Sequence, residues 1–387
     1  MEATEASLGQ LKRLQPVLRC CIRIDADGAR TAAAEADRRL AGGEVLGPLH
    51  GVPLAHKDVF ERAGRSTSCG SRIRHDHIAV RTATVLCRLD EAGALDLGTL
   101  NMAEFAAGGT GHNSHWGDCV NPWNTDYTPG GSSSGSAAAV AARAVFGSLG
   151  TDTGGSLRWP AALCGVTALR PTLGRVSLDG VAPRAWSLDT VGPVARTAED
   201  CALLFATIIR AEGNTPQIRV RGMRIGVVRG AWRADVIAEH EAALETSVEV
   251  LQGLGASVVE VALPRPDAAF RLGDLVVKAE AASLHSKWLR ERPGDYAPGI
   301  RMQLESGFAT SAVQYLDALR LRAPIQREYL NAFEHVDMLH TAAYPFAPPT
   351  MAACIPDSAS AVAAFWAAYP RFTRPFSYVG LPALALP

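Results

Sequence analysis

Lysine is scarce in this 387-residue chain: Lys12, Lys57, Lys278 and Lys287 stand among many arginines. A lysine inside an apolar stretch is therefore more telling here than in a lysine-rich protein, where solvated surface positions dominate. Net charge is almost absent, at −1, which argues against a general electrostatic grip on nucleic acid or on an anionic membrane. No run approaches the roughly 18 apolar residues of a membrane span. The opening Met1-Glu-Ala-Thr-Glu5 lacks the basic-plus-apolar pattern of a secretory leader, so a cytoplasmic location is expected. Neither a low-complexity linker nor a periodic repeat interrupts the chain. Cysteine is present, but Cys20, Cys21, Cys69, Cys87, Cys119, Cys164, Cys201 and Cys354 form no CxxC pair. Free, mostly buried thiols in a reducing compartment are the expectation.

What is present suffices for a large core: 48% of the residues are hydrophobic and 20% charged. Residues 4–42 read as two helices, with Leu8, Leu11 and Leu14 on one face of the first. Val52–His56 reads as a short strand leading to Lys57, Thr82–Ala92 as a helix, and Ala94–Gly98 as a strand. Ser136–Phe146, built mainly from alanine with two valines, reads as a closely packed buried helix. Met223–Val228, Ala238–Leu254 and Gly255–Leu263 read as a β–α–β unit. Residues 265–335 are rich in helix formers and broken at Pro293-Gly-Asp-Tyr-Ala-Pro298. The pattern predicts one α/β domain over 1–387, a mixed sheet with helices on both faces.

Two glycine-rich turns carry the chemistry. Thr128-Pro-Gly-Gly-Ser-Ser-Ser-Gly-Ser136 holds Ser132, and Gly150-Thr-Asp-Thr-Gly-Gly-Ser156 holds Ser156. Lys57 lies 75 residues before Ser132, and Ser156 lies 24 after it. Glycine lets backbone approach a bound group, and successive amides in such a turn form a nest for negative charge. Ser156 is the candidate nucleophile, with the amides of Thr153, Gly154 and Gly155 as its oxyanion donors. Lys57, following an apolar strand, would be desolvated, and burial lowers an ammonium pKa toward the range of a base. Ser132 can link the two because a hydroxyl donates and accepts at once. Ser133 is either a brace of this network or a helix N-cap. Asp152 is a candidate support for the loop. Arg158 either pairs with Asp152 or meets a substrate carboxylate, the pairing being favoured. His112 and His115 have no acidic or cysteine companion at metal-ligand spacing, so no metal and no cofactor is expected.

These residues resemble the amidase signature family, whose members cleave amides with a Ser–Ser–Lys triad. Gly47-Pro-Leu-His-Gly-Val-Pro-Leu-Ala-His-Lys-Asp-Val-Phe60 is similar to the family's lysine-bearing strand. Gly130–Ser136 resembles its middle serine turn, Gly150–Pro160 its nucleophile loop, and Cys164–Thr172 its exit strand. Asn121–Asn124, Ser187–Pro193 and Tyr378–Pro382 are similar as well, so the core motifs span 47–200 and the likeness covers most of the chain. The resemblance implies the triad Lys57, Ser132 and Ser156, a cis peptide before Ser132, and an acyl pocket lined by Ala106 and Ala107. Departures from the common pattern are Ser134, His56, Arg170 and Trp159, of which Trp159 would narrow the substrate pocket. Residues 265–335 have weaker family character, as expected of a segment that varies with substrate. The chain stops at Pro387, where family members typically continue.

The leading reading is a cofactor-independent amidohydrolase acting on a small amide, carbamate or urea through a seryl acyl-enzyme. One alternative is the glutaminase-type subunit of a tRNA-dependent amidotransferase, which uses the same triad with a partner. Another is a noncatalytic protein using the glycine turns as an anion cradle; a P-loop is excluded because neither turn continues into Gly-Lys-Ser/Thr. The Gly380–Pro387 stretch reads as a strand buried on both faces. That predicts a homodimer over its edge or a local cover from residues 340–375.

Overall fold

Strands buried on both faces and buried alanine shape the half of the chain that holds both serine turns. The computed structural model describes residues 1–211, 219–354 and 370–387. Three hydrogen-bonded sheets form among these residues. In the first, β1 (Cys21–Ile24) runs antiparallel to β3 (Leu95–Leu100), and β2 (Pro53–Lys57) runs parallel to β3. The second is antiparallel, in the order β10 (Ala383–Ala385), β5 (Thr167–Arg170), β6 (Thr190–Ala195), β4 (Gly147–Asp152). The third is parallel, with β7 (Arg224–Val228) between β8 (Ser257–Val261) and β9 (Met338–His340). The first two adjoin where β2 meets β4: Phe146 N donates to Pro53 O at 3.3 Å and Leu149 N to His56 Nδ1 at 3.0 Å. The α/β class with mixed pairing and packed helices is thus as expected.

The N-terminal reading needs a correction. A helix over Glu2–Leu18 ends at Arg19 in the left-handed conformation, with φ 46°. The chain then enters β1 before the second helix, Ala26–Ala41. Only four residues long, Cys-Ile-Arg-Ile gives no periodic signal by itself and is a strand because β3 offers an edge.

The alanine helix runs over Ser134–Ala141, shorter than expected and beginning earlier. Ala137, Ala138, Ala139 and Val140 are wholly buried in it, against Leu97, Leu100, Leu157 and Ala161. Gly135 shows why small residues are required: a Cβ there would lie 2.3 Å from Cys20 O and 2.5 Å from Asn101 N. The β–α–β unit appears as β7, a helix over Ala238–Gly253, and β8. Helices Pro266–Glu291, Pro298–Glu305 and Ala312–Asn331 fill the segment expected to be helical.

The C-terminal strand is the second correction. β10 is an edge strand: Ala385 is buried, whereas Leu384 and Leu386 are 45% and 59% exposed. Its apolar residues face both ways, but only one face meets the core. Of the cover expected from 340–375, residues 355–369 lie outside the described residues. All eight cysteines are free thiols, and all but Cys87 are buried. No described helix is long and apolar enough to cross a membrane.

Candidate active site

Lys57 is the last residue of β2, a strand buried along its whole length, and its side chain has no solvent contact. Nζ donates to Ser132 Oγ at 2.7 Å and to Thr151 Oγ1 at 2.8 Å. Burial pushes its pKa from the ordinary 10.5 down to about 7, although the fields of Asp189 and Asp152 pull the other way. Asp58 turns aside and accepts from Ser68 Oγ and Gly70 N.

Ser132 follows a cis Gly131–Ser132 peptide and is fully buried. Ser133 occupies the N-cap position of the alanine helix, yet its hydroxyl makes no cap bond. It reaches across to β4, donating to Thr151 O at 3.3 Å and accepting from Thr151 N at 3.4 Å. Ser133 N also donates to Ser156 O at 3.3 Å, which ties the middle turn to the third serine. Among the described residues no hydrogen bond joins the Ser132 and Ser156 hydroxyls. Such contacts often tighten only when substrate arrives.

Asp152, at the end of β4, organises the Ser156 loop. Its carboxylate accepts from Gly155 N at 2.9 Å, Leu157 N at 3.2 Å, and Arg158 Nε and Nη2 at 3.0 and 2.9 Å. Arg170 Nη1 adds a contact at 3.3 Å. Burial alone would raise this carboxyl, but Arg158 and Arg170 outweigh it and hold it well below the usual carboxylate range. Gly155 has φ +144°, and a Cβ there would meet Trp159 Cε2 at 2.3 Å.

One expectation changes, and for Arg158 the favoured of two alternatives is found. Gly155 N is committed to Asp152, so it is not free for an oxyanion; among the described residues the amides of Thr153, Gly154 and Ser156 have no acceptor. Arg158 is not a substrate contact. Both Nε and Nη2 hold Asp152, Nη2 also donates to Ser377 Oγ at 2.7 Å, and Nη1 donates to Thr373 O at 2.8 Å. Thr373 Oγ1 in turn donates to Gly154 O at 2.6 Å, so the chain around 373–377 clamps the loop.

A pocket open to solvent lies at Ser156. Ala106, Ala107, Gly108, Thr153, Gly154 and Trp159 line one part of it, and Arg184, Val277, Gln303 and Arg374 the rest. A second cavity, behind Lys57, is lined by Arg23, Arg62, Arg65 and Asp96. The cations there are already paired, Arg62 and Arg65 with Asp96 at 2.7 and 2.8 Å. The free amides and the serine belong to the first. His112 and His115 go to different carboxylates, Asp118 at 2.6 Å and Glu104 at 3.0 Å.

Sequence reasoning missed Thr151, the second acceptor for Lys57, and Asp189, which accepts from Thr153 Oγ1 at 2.5 Å. It also missed Arg184, Gln303 and Arg374. For Arg184 the signal is a charged residue in the otherwise apolar Val181-Ala-Pro-Arg-Ala185.

The amidase family model matches residues 2–387. A glutamyl-tRNA(Gln) amidotransferase subunit of Roseiflexus sp. (strain RS-1) is 38% identical over 426 aligned residues, which cover 100% of this chain and 86% of that protein. Its counterpart in Geobacter sulfurreducens is 39% identical, over 90% of this chain and 79% of its own. A crystal structure described as an amidase superimposes with a TM-score of 0.91 at 34% identity, covering 100% of this chain and 88% of that one. A protein from a vestigial complex described as revealing the evolutionary origins of an s-triazine catabolic enzyme gives 0.90 at 32%, covering 99% and 86%.

Proposed function

The chain belongs to the amidase family, and we propose that it hydrolyses a small amide through an acyl-enzyme on Ser156, with Lys57 and Ser132 as the proton relay. The observation that carries this reading is the buried Lys57 amine, lowered to about 7 and 2.7 Å from Ser132 Oγ. A neutral amine at neutral pH is a base, and a charged one is not.

Ser132 passes its proton to Lys57 Nζ and takes the Ser156 proton as Ser156 Oγ bonds to the amide carbon. The carbonyl oxygen becomes an oxyanion in front of the Thr153 and Gly154 amides. Collapse breaks the C–N bond, and the relay returns the proton to the departing amine. Water then adds to the ester by the same path, and Ser156 is regenerated. Ammonia or amine release from a panel of amides, carbamates and ureas, lost in Ser156→Ala, tests the reading; release that persists in the variant contradicts it.

A second reading has its own support in the relatives named as amidotransferase subunits. It predicts glutamine hydrolysis that rises when partner subunits are added, measured with gel filtration for complex formation. The net charge of −1 supports a small-molecule substrate over nucleic acid or membrane. Exposed Leu384 on β10, with Leu386 just beyond it, supports self-association over that edge, read by light scattering.

A further inference from the structure

We propose that Arg184, Gln303 and Arg374 form a carboxylate subsite in the Ser156 cavity, so that the substrate is a short amide bearing a carboxylate. The inference rests on Ser156 being the nucleophile and adds the class of substrate.

Among the described residues, Arg184 and Arg374 are the charged residues of the cavity lining, and no acidic residue lines it. Arg184 is 5% exposed. Its Nη2 donates to Gln303 Oε1 at 3.1 Å, while its buried Nη1 has no partner among the described residues. No described carboxylate lies within ion-pair distance of this guanidinium; Asp189 takes the backbone N of Arg184 at 2.8 Å, with Ala185 N and Thr153 Oγ1, but none of the guanidinium donors, and with Asp274 it acts on the cation only through its field. Burial and the neighbouring Arg374 lower its pKa to about 10, which still leaves it cationic at neutral pH.

A buried, unpaired guanidinium is costly, and a planar carboxylate is the acceptor whose geometry its fork matches. Gln303 fixes the direction of that fork. Its carboxamide oxygen is occupied by Arg184, so its amide nitrogen is left as a further donor.

Arg374 adds a second donor. Its Nη1 is held by Asp274, and Phe270 lies 5.5 Å from the guanidinium carbon. Its buried Nε has no partner among the described residues, and a Cβ on Gly154 would lie 3.0 Å from that Nε. The donor therefore stands beside the loop that carries Ser156. Arg158, closer to Ser156 in sequence, cannot take this role because its donors are spent on Asp152, Thr373 and Ser377.

The test compares malonamate and succinamate with their uncharged counterparts propanamide and butanamide. We expect kcat/KM to favour the acids by about ten- to hundredfold, the range for hydrogen bonds to a charged group. Succinate should inhibit competitively and succinamide should be weaker by a similar factor. In Arg184→Met the acid-to-neutral ratio should collapse by about the same factor, and Arg184→Lys should restore part of it. A wild-type enzyme with no preference for the acids, or a ratio unchanged in Arg184→Met, overturns the subsite. Should Arg184→Met fail to fold, the wild-type succinate and succinamide comparison decides alone. Failure of the amidase reading looks different: none of the amides is cleaved. Calorimetry of succinate with the wild-type protein then decides the subsite, with binding supporting it and no binding refuting it.

Discussion

Charge is handled in opposite ways in the two parts of this molecule. Around β2, β4 and β5, ionic groups sit away from water: Lys57 and Arg170 have no solvent contact, and the Arg158–Asp152 pair is 4% and 0% exposed. Around the β7–β8–β9 sheet they lie at the surface. Arg224 and Asp337 pair at 2.7 Å with side chains 45% and 39% exposed, and Arg229 meets Glu245 at 2.8 Å with 39% and 40%. The strands differ in the same sense. β2, β4 and β6 are buried at every residue, whereas β8 has its serine and two of its four other residues exposed. Water screens the second set and cannot screen the first. A buried group must therefore be paired, shifted or put to use, and in this region all three occur: Asp152 is paired, Lys57 is shifted, and Arg184 keeps a donor without a partner among the described residues.

Substitutions should reproduce that contrast. The largest effect is expected from Ser156→Ala, with turnover falling at least about ten-thousandfold while circular dichroism stays that of the wild type. Asp152→Asn comes next, on stability as well as rate. It removes the partner of two buried arginines, and breaking a buried pair from one side costs about 3–5 kcal/mol, to be read by denaturant unfolding. Lys57→Ala and Ser132→Ala should each lose about a hundredfold or more in kcat/KM. The double variant should lose far less than the product of the two, and multiplicative losses would argue against a shared relay.

The pH profile is a milder probe of the same region. Only unprotonated Lys57 accepts a proton, so kcat/KM should fall about tenfold per unit below pH ~7 and level off above it. Stability has its own sign. Between about 7 and the ordinary 10.5 the unfolded lysine holds a proton that the folded one has released, so this residue makes the fold more stable as pH rises across that window. The smallest effect is expected in the exposed sheet: Glu245→Gln should leave turnover unchanged and hardly move the unfolding midpoint. A large change there would erase the distinction between the two regions.

Much of the buried region was legible because its chemistry uses local patterns. Glycines mark the turns of Ser132 and Ser156, and an apolar run marks the strand that ends in Lys57. What was not legible depends on which side chain reaches a donor first. Asp152 captures Gly155 N through a rotamer that no spacing specifies, whereas its pairing with Arg158 was the favoured reading. Arg184, Gln303 and Arg374 come from segments far apart in the chain and meet only through the fold. β1 was missed because a four-residue strand exists only through its neighbour, and β10 was misread because an apolar run looks alike at an edge and in a core.

The central claim is that a neutral, buried Lys57 activates Ser156 through Ser132. The rate of covalent labelling by a fluorophosphonate, followed against pH with the modified residue located by mass spectrometry, tests it most directly. The account predicts an adduct on Ser156 that forms faster as pH rises to about 7, then at a constant rate, and that is slowed strongly in Lys57→Ala and Ser132→Ala. An adduct on another serine, or a Ser156 rate indifferent to pH and to Lys57, would contradict it.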